Sequence, residues 1–335
     1  MRRREFIALL SGAAAASGCI FWPLATRAQQ PDRVRRIGVL MGNAEGDAEG
    51  ESGVTAFRDE LRKAGWTERR NIDIETRWAA MNVESMRRLA KELVALQPDL
   101  ILTSSTPAAG VMLQQTRTIP IVFVLVADPV GSGYVASLPR PGGNATGFTP
   151  IAGSLGGKWV QLLKEIAPSV ARVSLLFNPP TATFIEGYLT PFRTAAASLG
   201  MEPILAPVQD MPEVELIMAA QAREPNSGLV VIPDSFTVGH RAEITALAAR
   251  YRVPAIYWSR SFAQVGGLIS YGPYIMDEYR RAASYADRIL RGAKPSELPV
   301  QAPTRFQLVV NLKSASALDL KIPESLRATV DEVIE

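Results

Sequence analysis

Ser104-Ser105-Thr106 places three hydroxyls in a row ahead of Pro107, where the apolar run "DLILT" gives way to the expected start of a helix. Hydroxyls and free N–H groups at a helix start suit an anionic group such as a carboxylate, although Thr106 could equally serve as a plain N-cap. Two acids occupy matching places, Asp128 after "IPIVFVLVA" and Asp234 after "LVVIP". Each can pair with an ammonium group or cap the adjoining turn. Asn178 ends "RVSLLFN" and offers a hydrogen-bonding amide, or an Asn-Pro turn. Thr183 and Phe184 come at the expected start of the next helix, as polar and apolar contacts. Tyr271, in "GGLISYGP", can stack on a planar group or pack in the core, and Trp258 is a further aromatic candidate.

Other chemistries are limited by composition. His240 is the single histidine and Cys19 the single cysteine. A Ser-His-Asp relay would have to be built on His240, and a histidine metal cluster cannot be assembled. His240 stands between "FTVG" and the helical "RAEITALAARY", where a surface or helix-start role is expected. The glycine-rich stretch "DPVGSGYVASLPRPGGNATG" fails as a nucleotide loop, because that fingerprint must come directly after the first strand. In this chain the first strand runs into "MGNAEGDAEGESG", whose four acidic residues would repel a pyrophosphate. The glycine-rich stretch instead reads as a turn and a short helix over a strand end, then a tight reversal at "PRPGGN". No metal and no cofactor is expected.

The elements that must position these residues alternate regularly. Strands are expected at 35–41, 71–78, 99–104 and 119–126, with helices at 53–65, 83–97 and 107–116 between them. Continuous apolar strands joined by helices indicate parallel βαβ units with both sheet faces covered. The rhythm restarts after residue 147, with strands at 172–178, 201–208, 227–234 and 254–259. A last section holds a strand at 266–273 and a long amphipathic helix to Gly292. The expected fold is α/β, two Rossmann-like doubly wound lobes joined by a multi-crossing hinge. The first lobe is assigned 29–147 plus 268–297, and the second 148–267 plus 298–335. Ligands bind such sheets at the carboxyl ends of the strands, so the facing lobes would enclose a cleft.

The start of the chain reads as an export signal over 1–28. Arg2, Arg3 and Arg4 precede "EFIALLSGAAAASGCIFWPLA", and "RREFI" fits the twin-arginine pattern, with cleavage after Ala28. "ASGC" resembles a lipoprotein box, but Ala16 stands where leucine is usual. Residues 1–28 carry four of the 36 basic residues and one of the 33 acidic ones, which leaves 32 of each. A neutral mature chain removes the electrostatic case for nucleic acid or anionic lipid as a partner. Loss of Cys19 with the signal also leaves no thiol for a disulfide or a cysteine nucleophile.

Several blocks carry a family resemblance. "DLILTSSTPAAGVMLQQTRTIP" running into "IPIVFVLVADPVGSGYVASLPRPGGNATGF" closely resembles the ABC-transporter substrate-binding proteins related to bacterial tryptophan- and phenylalanine-binding proteins. "LFNP", "GGLISYGPYIMDEYRRAASYADRILRGAKPSELPV" and "FQLVVNLKSASALDL" extend the likeness through nearly the whole chain. The resemblance implies a type I periplasmic-binding fold, a monomer without catalytic activity, and a periplasmic location. It also implies an amino acid or similar small solute as ligand and ABC permease subunits as partners. Many members carry an apolar, often histidine-containing segment after the first strand; this chain has "GNAEGDAEGESG" there. Two other readings use the same lobes: a receptor that addresses a sensor, and an enzyme with Asp128 and Asp234 as an acid–base pair.

Overall fold

A computed structural model describes residues 33–150 and 153–335, so the expected signal lies outside the described residues. The first sheet has five parallel strands in the order β2-β1-β3-β4-β5. They are β1 (Arg35–Met41), β2 (Ile72–Trp78), β3 (Leu100–Ser104), β4 (Ile121–Val124) and β5 (Ala145–Gly147). Helices α1 (Ala48–Lys63), α2 (Val83–Ala95) and α3 (Thr106–Gln115) connect them. Every residue of β3 and β4 is buried, as expected for strands covered on both faces. Asp47, Asn82 and Ser105 cap the three helices through their side chains.

The second sheet has seven strands in the order β12-β11-β10-β9-β8-β6-β7. After α4 (Leu155–Ile166) come β6 (Arg172–Phe177), α5 (Glu186–Ser198), β7 (Glu202–Pro207), α6 (Met211–Arg223) and β8 (Ser227–Val231). The short α7 (Ser235–Gly239) and α8 (Arg241–Arg250) lead to β9 (Ala255–Tyr257), α9 (Arg260–Gln264) and β10 (Ile269–Pro273). After α10 (Ile275–Leu290), β11 (Phe306–Asn311) returns antiparallel to β10. The chain closes through α11 (Leu312–Ala317), α12 (Glu324–Arg327) and β12 (Glu332–Ile334), which is parallel to β11. At the other margin β7 carries Pro203 and Pro207, which have no N–H to offer an incoming strand.

Three segments join the sheets side by side. The first leaves β5, and Phe148 bridges Gln301 of the last. Tyr274 N donates to Arg305 O (2.9 Å), which ties the second segment to the last. Helix α10 packs on α1 and under β3 and β4, so it covers the first sheet. The expected division therefore needs two corrections. The strand at 266–273 pairs with β9 and β11 in the second sheet instead of joining the first lobe. Residues 298–301 stay with the first sheet, where Thr146 Oγ1 donates to Leu298 O (2.6 Å) and Gln301 N donates to Gly147 O (3.0 Å). The short helix expected after Asp128 is a run of turns instead, closed by Ser132 N to Asp128 O (3.0 Å) and Tyr134 N to Pro129 O (2.9 Å). Tyr134 Oη then donates to Thr106 O (3.1 Å), so this loop seats the start of α3.

Candidate functional site

The carboxyl ends of both sheets' strands face each other across a cleft of about 580 Å³, its open mouth included. The first lobe contributes Asn43, Glu49, Met81, Ser104, Ser105, Thr106, Leu125 and Ala127. The second contributes Thr181, Phe184, Pro233, Asp234, Ser235, Val238 and Trp258, and Pro150 lines the cleft from the first connection. No lysine or arginine is among these residues.

Strained backbone concentrates here. Of nine non-glycine residues with positive φ among the described residues, Met81 (55°), Ser105 (96°) and Leu125 (56°) line the cleft. Such conformations persist only where surroundings over-determine them, and they cluster at ligand clamps. Tyr279 Oη donates to Ser104 Oγ (2.8 Å), and Ala127 N donates to Thr106 Oγ1 (3.0 Å). Ala108 N reaches Ser105 Oγ at 3.4 Å, which leaves the first turn of α3 only loosely satisfied. Trp258 is 5% exposed, and its indole N–H has no hydrogen-bond acceptor.

Five of the nine site residues expected from the sequence come together: Ser104, Ser105, Thr106, Phe184 and Asp234. Asn178 stands one layer behind. Its N–H donates to Asp234 Oδ2 (3.1 Å), and its amide to Val208 O (2.9 Å). Asp128 turns away and accepts from Gly131 N (2.8 Å) within its own turn. It therefore makes no acid–base pair with Asp234 across the cleft. Thr183 is exposed on a turn, because α5 begins only at Glu186. Tyr271 stacks on Phe306 (5.8 Å between centroids), outside the cleft, and its backbone oxygen accepts from Trp159 Nε1 (2.6 Å).

Asp234 has little left to offer a ligand. Its carboxylate accepts from Asn178 N, from Thr237 N (2.8 Å) and from Thr181 Oγ1 (3.3 Å). Burial pushes its pKa up to about 6, against the pull of those donors. Glu49 was missed because the first helix was expected only from residue 53. Helix α1 in fact starts at Ala48, with Asp47 capping Gly50 N (2.9 Å). Gly50 and Gly53 are needed for close packing: a Cβ at Gly53 would lie 2.5 Å from the Tyr279 ring, and one at Gly50 2.9 Å from Trp78. The signal that would have found Glu49 is Asp47 as an N-cap followed by acids in the first turn.

Behind the first wall, Glu278 of α10 accepts from Leu125 N (3.1 Å) with one oxygen, while its buried Oε1 has no partner. Burial pushes its pKa up to about 7. The folded state thus holds this proton more tightly than the unfolded chain. The resulting stabilisation is full below the unfolded pKa and is lost as pH rises through 7, a total of about 3 kcal/mol. Glu278→Gln keeps an acceptor for Leu125 N and cannot ionise. Denaturant unfolding should show it losing about 2 kcal/mol less than wild type between pH 5 and pH 8. Equal pH slopes would exclude this role.

The sequence matches the family model described as ABC transporter substrate binding protein over residues 41–334. A relative described as a tyrosine-binding protein of Clostridioides difficile is 23% identical over 265 residues, 79% of this chain and 76% of that protein. Among solved structures, a conserved domain protein from Vibrio cholerae superposes with a TM-score of 0.80 at 26% identity, covering 90% of this chain and 100% of that one. The ABC domain in complex with L-Trp from Streptococcus pneumonia superposes at 0.79 with 23% identity, covering 90% and 99%. The fold is that of type I periplasmic binding proteins. The matched span takes in every wall of the cleft and every strand after β1, and this chain belongs to the ABC transporter substrate-binding protein family.

Proposed function

We propose that this chain is the exported receptor of an ABC transporter, capturing an amino acid or related small carboxylate between its lobes and delivering it to a permease. One observation carries this reading. The hydroxyls and loosely satisfied helix start at Ser104–Thr106 face Phe184 and Trp258 across a cleft whose charged lining is acidic. A carboxylate fits the helix start, a large apolar side chain fits the aromatic wall, and the acidic lining favours an ammonium over a second anion. The tyrosine and L-Trp named for two relatives support the same class of solute. Ligand contacts to both lobes would favour the closed arrangement over an open one, which is the basis of hinge closure. Among the described residues no helix is long and apolar enough to cross a membrane. An export signal at 1–28 would place the receptor in the periplasm.

Calorimetry of the mature chain against the twenty amino acids, with small-angle scattering of the best binder, tests the proposal. Binding of at least one amino acid at micromolar Kd or better is expected, together with compaction. Asp128→Ala should bind it with unchanged affinity and lose only about 1 kcal/mol of stability, the worth of one turn cap. A panel with neither heat nor compaction would remove the amino-acid reading.

A further inference from the structure

Glu49 stands in the first turn of α1, and its Oε1 accepts from Ser259 Oγ (3.0 Å) across the cleft. Ser261 Oγ lies 3.0 Å from Ser259 Oγ, extending the hydroxyl pair. Burial raises the Glu49 pKa, and those hydroxyls pull it back only in part; neighbouring Asp47 pushes it further up and Arg241 lowers it. The nearby cations are committed elsewhere. Arg241 forms its ion pair with Asp47. Arg260 spends Nε and an Nη on Glu332, both at 2.6 Å. Among the described residues no lysine or arginine forms an ion pair with Glu49. Closing the lobes therefore desolvates a carboxylate that has hydroxyl partners but no ion pair, since Arg241 and Arg260 act on it only from a distance while paired to other acids. A buried charge in that state is strongly disfavoured.

We infer that Glu49 is the cation-recognising residue of the cleft: it binds the protonated amine of the solute, and that amine supplies the charge which lets the lobes close. The inference rests on the proposed amino-acid reading and adds to it the residue that decides between an amino acid and its des-amino analogue. The other acid of the lining, Asp234, already accepts from two backbone N–H groups and a hydroxyl. Glu49 has hydroxyl partners alone. A solute lacking the amine leaves Glu49 uncompensated in the closed state, so it binds mainly the open form and shifts little toward closure.

The test measures Kd by calorimetry for L-tryptophan and L-tyrosine and for their des-amino counterparts, indolepropionate and hydroxyphenylpropionate. Wild type, Glu49→Gln and Ser259→Ala are compared as full mature chains, with thermal unfolding as the check on folding. Wild type is expected to prefer the amino acid by about 30-fold or more, the lower range for a desolvated charge pair. Glu49→Gln should lose most of that preference, through weaker amino-acid binding with the analogue unaffected or tighter. Ser259→Ala keeps the carboxylate and should keep the preference. An unchanged ratio in Glu49→Gln would place the amine elsewhere and overturn the assignment. Equal weakening of both ligands would make Glu49 a closure contact only, and loss of the preference in Ser259→Ala would credit the hydroxyl; either outcome overturns it as well. If wild type binds neither amino acids nor analogues, the solute reading fails first, in the unmutated chain, and this inference fails with it.

Discussion

Gly272→Ala is expected to leave little folded protein. Gly272 lies in β10, and the chain leaving the parallel neighbour β9 comes so close that an added Cβ would sit 1.7 Å from the Trp258 carbonyl oxygen and 2.8 Å from its carbon. Both atoms are backbone, so no side chain can rotate aside, and relief requires prising β9 from β10. A loss of roughly 4 kcal/mol or more is expected, a large share of a domain's net stability. The same displacement moves Trp258 and with it one wall of the cleft. Gly143→Ala, where a Cβ would meet nothing within 4 Å, is the matched control and should stay within about 0.5 kcal/mol of wild type. Denaturant midpoints compare the two. A Gly272→Ala protein as stable as wild type would refute the close approach of β9 and β10.

Asp234→Ala should be the next most damaging change, and it should act on folding as much as on binding. The carboxylate ties the end of β6 to the start of α7 and forms a capping box with Thr237. Removing it orphans two buried backbone N–H groups, each worth about 1–3 kcal/mol, while the Thr181 hydroxyl keeps Asn178 Oδ1 as acceptor (2.9 Å). A net loss of about 3 kcal/mol is therefore expected near pH 5. The loss should shrink with pH for a reason that can be signed. The folded pKa of about 6 lies above the unfolded value of 3.8, so the carboxyl's stabilisation is full below 3.8 and fades as pH rises through 6. At pH 8 the variant should therefore trail wild type by about 1 kcal/mol less than at pH 5. Unfolding free energies at the two pH values decide it. A difference that grows with pH would mean that the ionised form is the better partner.

How far the molecule was legible in its sequence depends on how local each determinant is. The two parallel cores could be read because β3, β4 and β8 are buried on both faces, and burial of that kind leaves continuous apolar runs. Ser104–Thr106 could be placed at the cleft because they end a central parallel strand, and ligands bind such sheets at the carboxyl ends of their strands. The sheet that receives β10 was not legible, since an apolar strand pairs equally well with either core and only the path of α10 decides. Polar residues at strand ends were read correctly for position and less well for partner. Asn178 and Asp128 sit where expected, but their hydrogen bonds go to backbone close by. Glu49 was missed because the helix was expected only from Gly53, whereas Asp47 caps it at Ala48 and its glycines serve close packing against Trp78 and Tyr279.

The return of α10 to the first sheet has a consequence for biosynthesis. All five strands of that sheet are translated by residue 147, yet the helix covering them arrives only with residues 275–290. Until then α1 lacks its Tyr279 neighbour, Trp66 lacks the Asp287 acceptor that takes its indole N–H at 2.8 Å, and Leu125 N lacks the Glu278 carboxylate. A nascent chain ending near residue 150 thus exposes an apolar face that nothing yet made can cover, and such faces invite aggregation and chaperone binding. The first half to leave the ribosome is the last to be finished.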